Sequence, residues 1–153
     1  VTPPVRLREP TDHDYDWLHA QQRDEVASRM AAFGTRDPDA ASLAERWKRS
    51  GARTRVVMVG DEIAGSVATF EYEGKPQITY WIGRSFWGRG IATTALGLFL
   101  REITERPLYA SAAFDNIGSL RVLAKCGFRV VGSEKAHAEA RGVEIDEIFL
   151  RLD

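Results

Sequence analysis

Val5-Arg6-Leu7-Arg8 alternates apolar and charged residues, the period of a half-buried strand. Thr11 and Asp14 have the spacing of a capping box and predict a helix carrying Trp17, Leu18 and Val26. Ser28 to Asp37, with Gly34 and Thr35 inside it, reads as a loop. Asp37-Pro38 predicts the start of a second helix, because proline suits the first helical position behind a capping aspartate. Ala40, Leu43, Ala44 and Trp47 keep one helical face there. From Thr54 the period becomes strand-like. Val56 to Val59 is a continuous apolar run closed by Gly60-Asp61, and Ile63, Gly65, Val67 and Thr69 alternate along the next strand. Glu73-Gly74-Lys75 turns the chain into a third strand marked by Ile78, Tyr80 and Ile82. The three predict an antiparallel meander.

Ile91 to Ile103 reads as a helix with Ala95, Leu98 and Phe99 on its apolar face. Pro107 to Phe114 follows as a strand and Asn116 to Lys125 as a helix, with Gly127 at its C′ position. Phe128 to Val131 and Val143 to Leu152 are the last two strands, around Arg141-Gly142. The apolar parity shifts between Ile145 and Ile148, which predicts a bulge near Asp146. The order β-α-α-β-β-β-α-β-α-β-β is an α+β fold, with helices flanking a mixed, mostly antiparallel sheet in one domain over residues 1–153.

Composition narrows the function classes. With 153 residues, 21 Lys+Arg against 22 Asp+Glu, and a net charge of −1, the chain has no electrostatic footprint for nucleic acid or an anionic membrane. Cys126 is alone, so it has no internal disulfide partner, and His13, His19 and His137 lack ligand spacing; no metal is expected. No apolar leader core and no run of 18 apolar residues occurs, so a cytoplasmic location is expected.

Two segments carry chemistry. Phe86-Trp87-Gly88-Arg89-Gly90-Ile91-Ala92-Thr93-Thr94 joins a strand to a helix, where free backbone N–H groups and the helix dipole hold anions. It lacks the Gly-Lys-Ser/Thr ending of a P-loop and the third glycine of a dinucleotide fingerprint. Asn116-Ile117-Gly118-Ser119, ending in Lys125-Cys126-Gly127-Phe128, follows the next strand.

Together with the element order, these segments resemble the GNAT superfamily of acetyl-CoA-dependent N-acetyltransferases, within it the branch that acetylates the N-termini of ribosomal proteins. The resemblance covers nearly the whole chain and implies a GNAT fold. Acetyl-CoA would be cosubstrate and a primary amine, a protein N-terminus or a small molecule, the acceptor. It implies that the backbone of Gly88, Arg89, Gly90, Ile91, Ala92 and Thr93 binds the pyrophosphate. Tyr80-Trp81-Ile82 would splay from its neighbour and bind the pantetheine arm through main-chain groups. Asn116 would contact that arm, cap its helix, or do both. The family's thiolate-protonating tyrosine would fall at Leu123, which has no proton to give; Ser119 matches a serine with that duty, or is a first-turn serine bonded to backbone. The strand glutamate used as base would fall at Ser111. Glu139, one position out of register, and His137 are the substitutes on the final hairpin, against the reading of each as an exposed loop residue. Cys126 reads as a small buried residue, not a nucleophile. The vacancies at Leu123 and Ser111 leave one rival, an acyl-CoA-binding regulatory module without turnover. Family members are often dimers, so a homodimer is an expectation too.

Overall fold

The structure, a computed structural model, describes residues 4–153; Val1 to Pro3, where the expected domain span begins, lie outside it. The elements are β1 (Val5–Arg8), α1 (Asp14–Gln21), α2 (Glu25–Ala31), α3 (Ala40–Arg49), β2 (Arg53–Val59), β3 (Glu62–Tyr72) and β4 (Lys75–Ile82). After a short 3₁₀ turn at Arg84–Phe86 come α4 (Ile91–Glu102), β5 (Leu108–Ala113), α5 (Ile117–Lys125), β6 (Arg129–Ala138) and β7 (Val143–Leu152). Seven strands form one sheet in the order β1-β2-β3-β4-β5-β7-β6. Every pairing is antiparallel except β4 with β5.

Four local expectations need correction. The first expected helix is two, α1 and α2, because the Asp24 side chain accepts from the backbone N–H groups of Val26 and Ala27 and opens a new helix. Ser28 to Ala31 is therefore helical, not loop. Asp39, not Asp37, caps α3, its Oδ1 taking the Ser42 N–H at 2.7 Å; the Asp37 carboxylate is engaged instead by Arg46 and Gln22. Only the reach-back half of the Thr11–Asp14 box forms, Asp14 Oδ2 accepting from the Thr11 N–H, while the same carboxylate binds Arg8. The bulge lies in β6 at Val131, between Val130 and Gly132, and β7 runs in unbroken register along β5. The parity shift in β7 has another cause. Ile148, Leu150 and Leu152 face the main core, while Ile145 packs with Ala32, Ala113 and Ala138 on the opposite face, so both faces of β7 are covered.

The main core lies between the sheet and helices α4 and α5. Ile91, Leu96 and Phe99 of α4 are buried against Val57, Val67 and Ile78, and Leu123 of α5 joins them. Helices α1 and α3 pack together around Tyr15, Leu18 and Leu43, and the end of α2 reaches Ala113 of β5 and Ala138 of β6. Gly65 of β3 permits a close approach, since a Cβ there would collide with the Trp81 carbonyl oxygen of β4. The feature that positions the site is the β4–β5 pairing. The two strands meet in register at Gln77 and Tyr109 and pair at no other described residue, so their C-terminal halves part. Among the described residues no helix is long and apolar enough to cross a membrane.

Candidate active site

The gap between β4 and β5 opens into a cleft of about 590 Å³. One end of it is the turn into α4. Gly88 and Gly90 sit at φ +75 and +74, the left-handed region that side chains resist. The N–H groups of residues 88–93 have no backbone acceptor among the described residues, and Gly88, Gly90, Ile91, Ala92 and Thr93 line the cleft. Gly90 has no side chain to cap α4, so the first-turn donors and the dipole of a 12-residue helix face the opening. Trp87 donates its indole N–H to the Ile82 carbonyl at 2.8 Å, which pins the turn to the end of β4. Arg121 and Lys125 on α5 bring positive charge to the same wall. Of the residues expected at the cofactor, Tyr80, Trp81, Ile82, Gly88, Gly90, Ile91, Ala92, Thr93 and Asn116 line the cleft. Arg89 does not; its guanidinium stacks 5.4 Å from the Phe86 ring centroid.

Ser119 lies in the first turn of α5, and its Oγ is 2.6 Å from the Tyr80 hydroxyl. The Asn116 side chain accepts from the Ser119 N–H at 3.2 Å, so Asn116 is a helix cap that also lines the cleft. Burial pushes the Tyr80 phenol up to about 12, against a smaller opposing effect of the Ser119 hydrogen bond. The phenol therefore stays protonated and supplies a donor. Sequence reasoning assigned Tyr80 only main-chain contacts, and nothing local signals a hydroxyl pair 39 residues apart. Leu123 is 1% exposed in the main core. Burial pushes the Cys126 thiol up, which keeps it protonated and unreactive.

The hairpin candidates lie elsewhere. His137 Nε2 and Glu139 Oε1 are 3.7 Å apart, both side chains are exposed, and neither lines the cleft. At the vacant base position, Ser111 Oγ donates to Glu147 Oε2 at 2.7 Å, a contact from β5 to β7 that the sequence did not reveal. Ala27 and Met30 of α2 form another wall of the cleft, missed because that helix was read partly as loop. Among the described residues no group of three or more His, Cys, Asp or Glu side chains could hold a metal ion.

A family profile described as acetyltransferase (GNAT) domain matches residues 5–129. The chain belongs to that family. The splayed seven-stranded sheet is the GNAT fold, and the protein is an acyltransferase. No curated protein matches the sequence. Among solved structures, a spermidine N-acetyltransferase from Vibrio cholerae in complex with CoA and spermine is similar at a TM-score of 0.83 and 18% identity, covering 97% of this chain and 94% of that one. A ribosomal-protein-alanine N-acetyltransferase from Brucella melitensis gives 0.80 and 22%, covering 95% and 98%. Mycobacterium smegmatis RimJ in complex with CoA-disulfide gives 0.77 and 20%, covering 98% and 82%.

Proposed function

We propose that this GNAT enzyme transfers an acetyl group from acetyl-CoA to a primary amine, and that the acceptor is an α-amino group of a peptide or protein. The observation that carries the reading is the row of unpaired N–H groups at residues 88–93, opening into the gap between β4 and β5 with Tyr80 and Ser119 on its wall. The residues fit the group. Consecutive backbone donors at a helix N-terminus, with Arg121 and Lys125 nearby, suit a pyrophosphate, and unpaired strand edges suit an amide-bearing arm.

Acetyl-CoA supplies the activated thioester; the rest is done by the chain. The cradle fixes the cosubstrate, and the parted strands hold its thioester where an amine can reach it, so much of the acceleration comes from positioning. Backbone N–H groups of the parted β4 strand stabilise the charge that develops on the carbonyl oxygen. As the bond to sulfur breaks, the Ser119 hydroxyl, backed by Tyr80, gives the departing sulfur its proton.

The acceptor class follows from proton availability. No side chain of β5 is a carboxylate to deprotonate the amine before attack, so an acceptor that already arrives neutral is favoured. An α-amine with pKa about 7.7–8.0 is roughly a tenth neutral at pH 7, while a lysine near 10.4 is neutral about 0.04% of the time. That difference, a few hundredfold, matches what a general base contributes, about 10²–10⁴-fold. Two matched peptides test it, one with a free N-terminus and no lysine, the other N-blocked with one lysine, with spermidine as a third acceptor. Thiol release should show the highest kcat/KM for the free N-terminus. Preference for the blocked lysine peptide or for spermidine would overturn the acceptor assignment, and no release with any amine would overturn the acetyl transfer itself.

A further inference from the structure

We infer that Glu147 of β7 is a catalytic residue of this enzyme, the carboxylate that takes the proton from the attacking nitrogen, with Ser111 as its positioning residue. The inference rests on the acetyl-transfer reading above. It starts from strand parity. Leu108 and Ala110 of β5 face the main core on the same side as Tyr80, so Ser111 faces the opposite side, as Ala113 does beside Ala32. Tyr109 is the residue at which β5 pairs with β4, and Ser111 is the next position on its face, where the strands have begun to part. The Tyr80–Ser119 hydroxyls therefore line the cleft on one face of the parted strands, while the Ser111–Glu147 pair lies on the other face, on the side of Ala32 at the end of α2, beside the cleft lining and not in it. One pair donates and the other accepts.

Three other carboxylates near this end of the sheet are engaged or displaced. Asp115 is held by Arg141, Asp146 by Lys135, and Glu139 lies with His137 in the exposed hairpin. Glu147 has no cationic partner among the described residues and accepts from Ser111. It is half-buried, and Glu134 of β6 faces it in register.

The step balances. The nitrogen lone pair forms the C–N bond, the C–S bond breaks, and sulfur leaves with its electron pair. The nitrogen loses one proton to the Glu147 carboxylate, which passes it to solvent, and sulfur gains one from Ser119, whose hydroxyl takes a proton back from solvent. Because the nitrogen becomes strongly acidic only once it has attacked, Glu147 acts late, and an acceptor that arrives neutral still needs it.

The test compares wild type with Glu147→Ala and Glu147→Gln, using the lysine-free peptide and spermidine as probe acceptors. Both variants should lose about 10²-fold in kcat while calorimetry gives an unchanged acetyl-CoA affinity. Added formate should restore rate to Glu147→Ala, where it fills the space left by the carboxylate, and not to Glu147→Gln. Ser111→Thr should keep the wild-type kcat and Ser111→Ala should not. The isosteric glutamine keeps the test open if the alanine variant fails to fold. Variants as active as wild type under rate-limiting chemistry would overturn the role of Glu147 alone, as would a rate loss in Glu147→Ala that formate leaves untouched. A wild type silent toward both probes would overturn the acetyl-transfer reading, and the role of Glu147 with it.

Discussion

Tyr80 carries one hydroxyl hydrogen and has two oxygens of Ser119 within reach, Oγ at 2.6 Å and the carbonyl at 3.3 Å. Burial holds the phenol near 12, so Tyr80 keeps its hydrogen, and where that hydrogen is given to Ser119 Oγ the Ser119 hydroxyl hydrogen is free to point into the cleft. In the reaction proposed above, the pair would act as a relay whose delivering member is Ser119. Ser119→Ala should lower kcat by about 10²-fold with little change in acetyl-CoA affinity, since the interaction belongs to the transition state. Tyr80→Phe should cost less, because water can restore a donor behind Ser119. The double variant should lose little more than Ser119→Ala alone, since the residues act in series. Steady-state kinetics of the three variants checks this, and independent, multiplying losses would contradict the relay. The pH dependence follows with its sign. A phenol titrating near 12 gives no loss of kcat from Tyr80 as pH rises toward 10.

At the scale of elements, the turn into α4 takes the backbone conformation that its two glycines allow. Gly88 and Gly90 occupy left-handed conformations, and a Cβ at either would meet open space, so each is needed for its backbone angle rather than for room. Gly90→Asp adds strain and sets a negative charge among donors meant for an anion. Calorimetry should show acetyl-CoA affinity lowered by at least about tenfold, with helix content unchanged by circular dichroism. Most of the fold was legible for the same reason as this turn: strand alternation, apolar helix faces and Gly-Asp or Gly-Lys turns are local signals. What was misread depended on partners distant in sequence or on competition between neighbours. Asp24, Asp37 and Asp39 are all plausible caps, and only the pull of Arg46 and Gln22 on Asp37 decides which carboxylate is free to cap α3. The parity of β7 looked like a bulge because one strand serves two cores. The side-chain contacts around the site were the least legible. The Tyr80–Ser119 and Ser111–Glu147 contacts span 39 and 36 residues and exist only because the sheet order places β5 between β4 and β7.

Across the whole molecule, arginine–carboxylate pairs tie together segments that the hydrophobic core does not reach. Arg8 of β1 grips Asp14 at the start of α1 through two bonds of 2.8 Å. Arg46 holds Asp37 in the connection between α2 and α3. Arg141, in the turn between β6 and β7, binds both oxygens of Asp115 and the Arg29 carbonyl, closing the hairpin over the end of α2 and the start of α5. In each pair the arginine holds the aspartate below the usual carboxylate range. Asp14 is the clearest case, since its side chain is 2% exposed and the Arg8 hydrogen bonds bring it down to about 2 from an ordinary 3.8. A carboxyl whose folded pKa is depressed contributes stability that is complete above its unfolded pKa and is lost as pH falls through the folded value. For Asp14 that window runs from about pH 4 down to about pH 2, and the shift corresponds to about 2 kcal/mol. Asp14→Asn keeps the shape of the side chain and removes its charge, and Arg8, 30% exposed, stays solvated without it. The variant should therefore be about 2 kcal/mol less stable than wild type at neutral pH and differ little from it near pH 2. Urea unfolding at a series of pH values measures both curves. A constant gap between them down to pH 2 would mean that Asp14 stabilises the fold through packing, and that the Arg8 pair contributes none of the acid sensitivity.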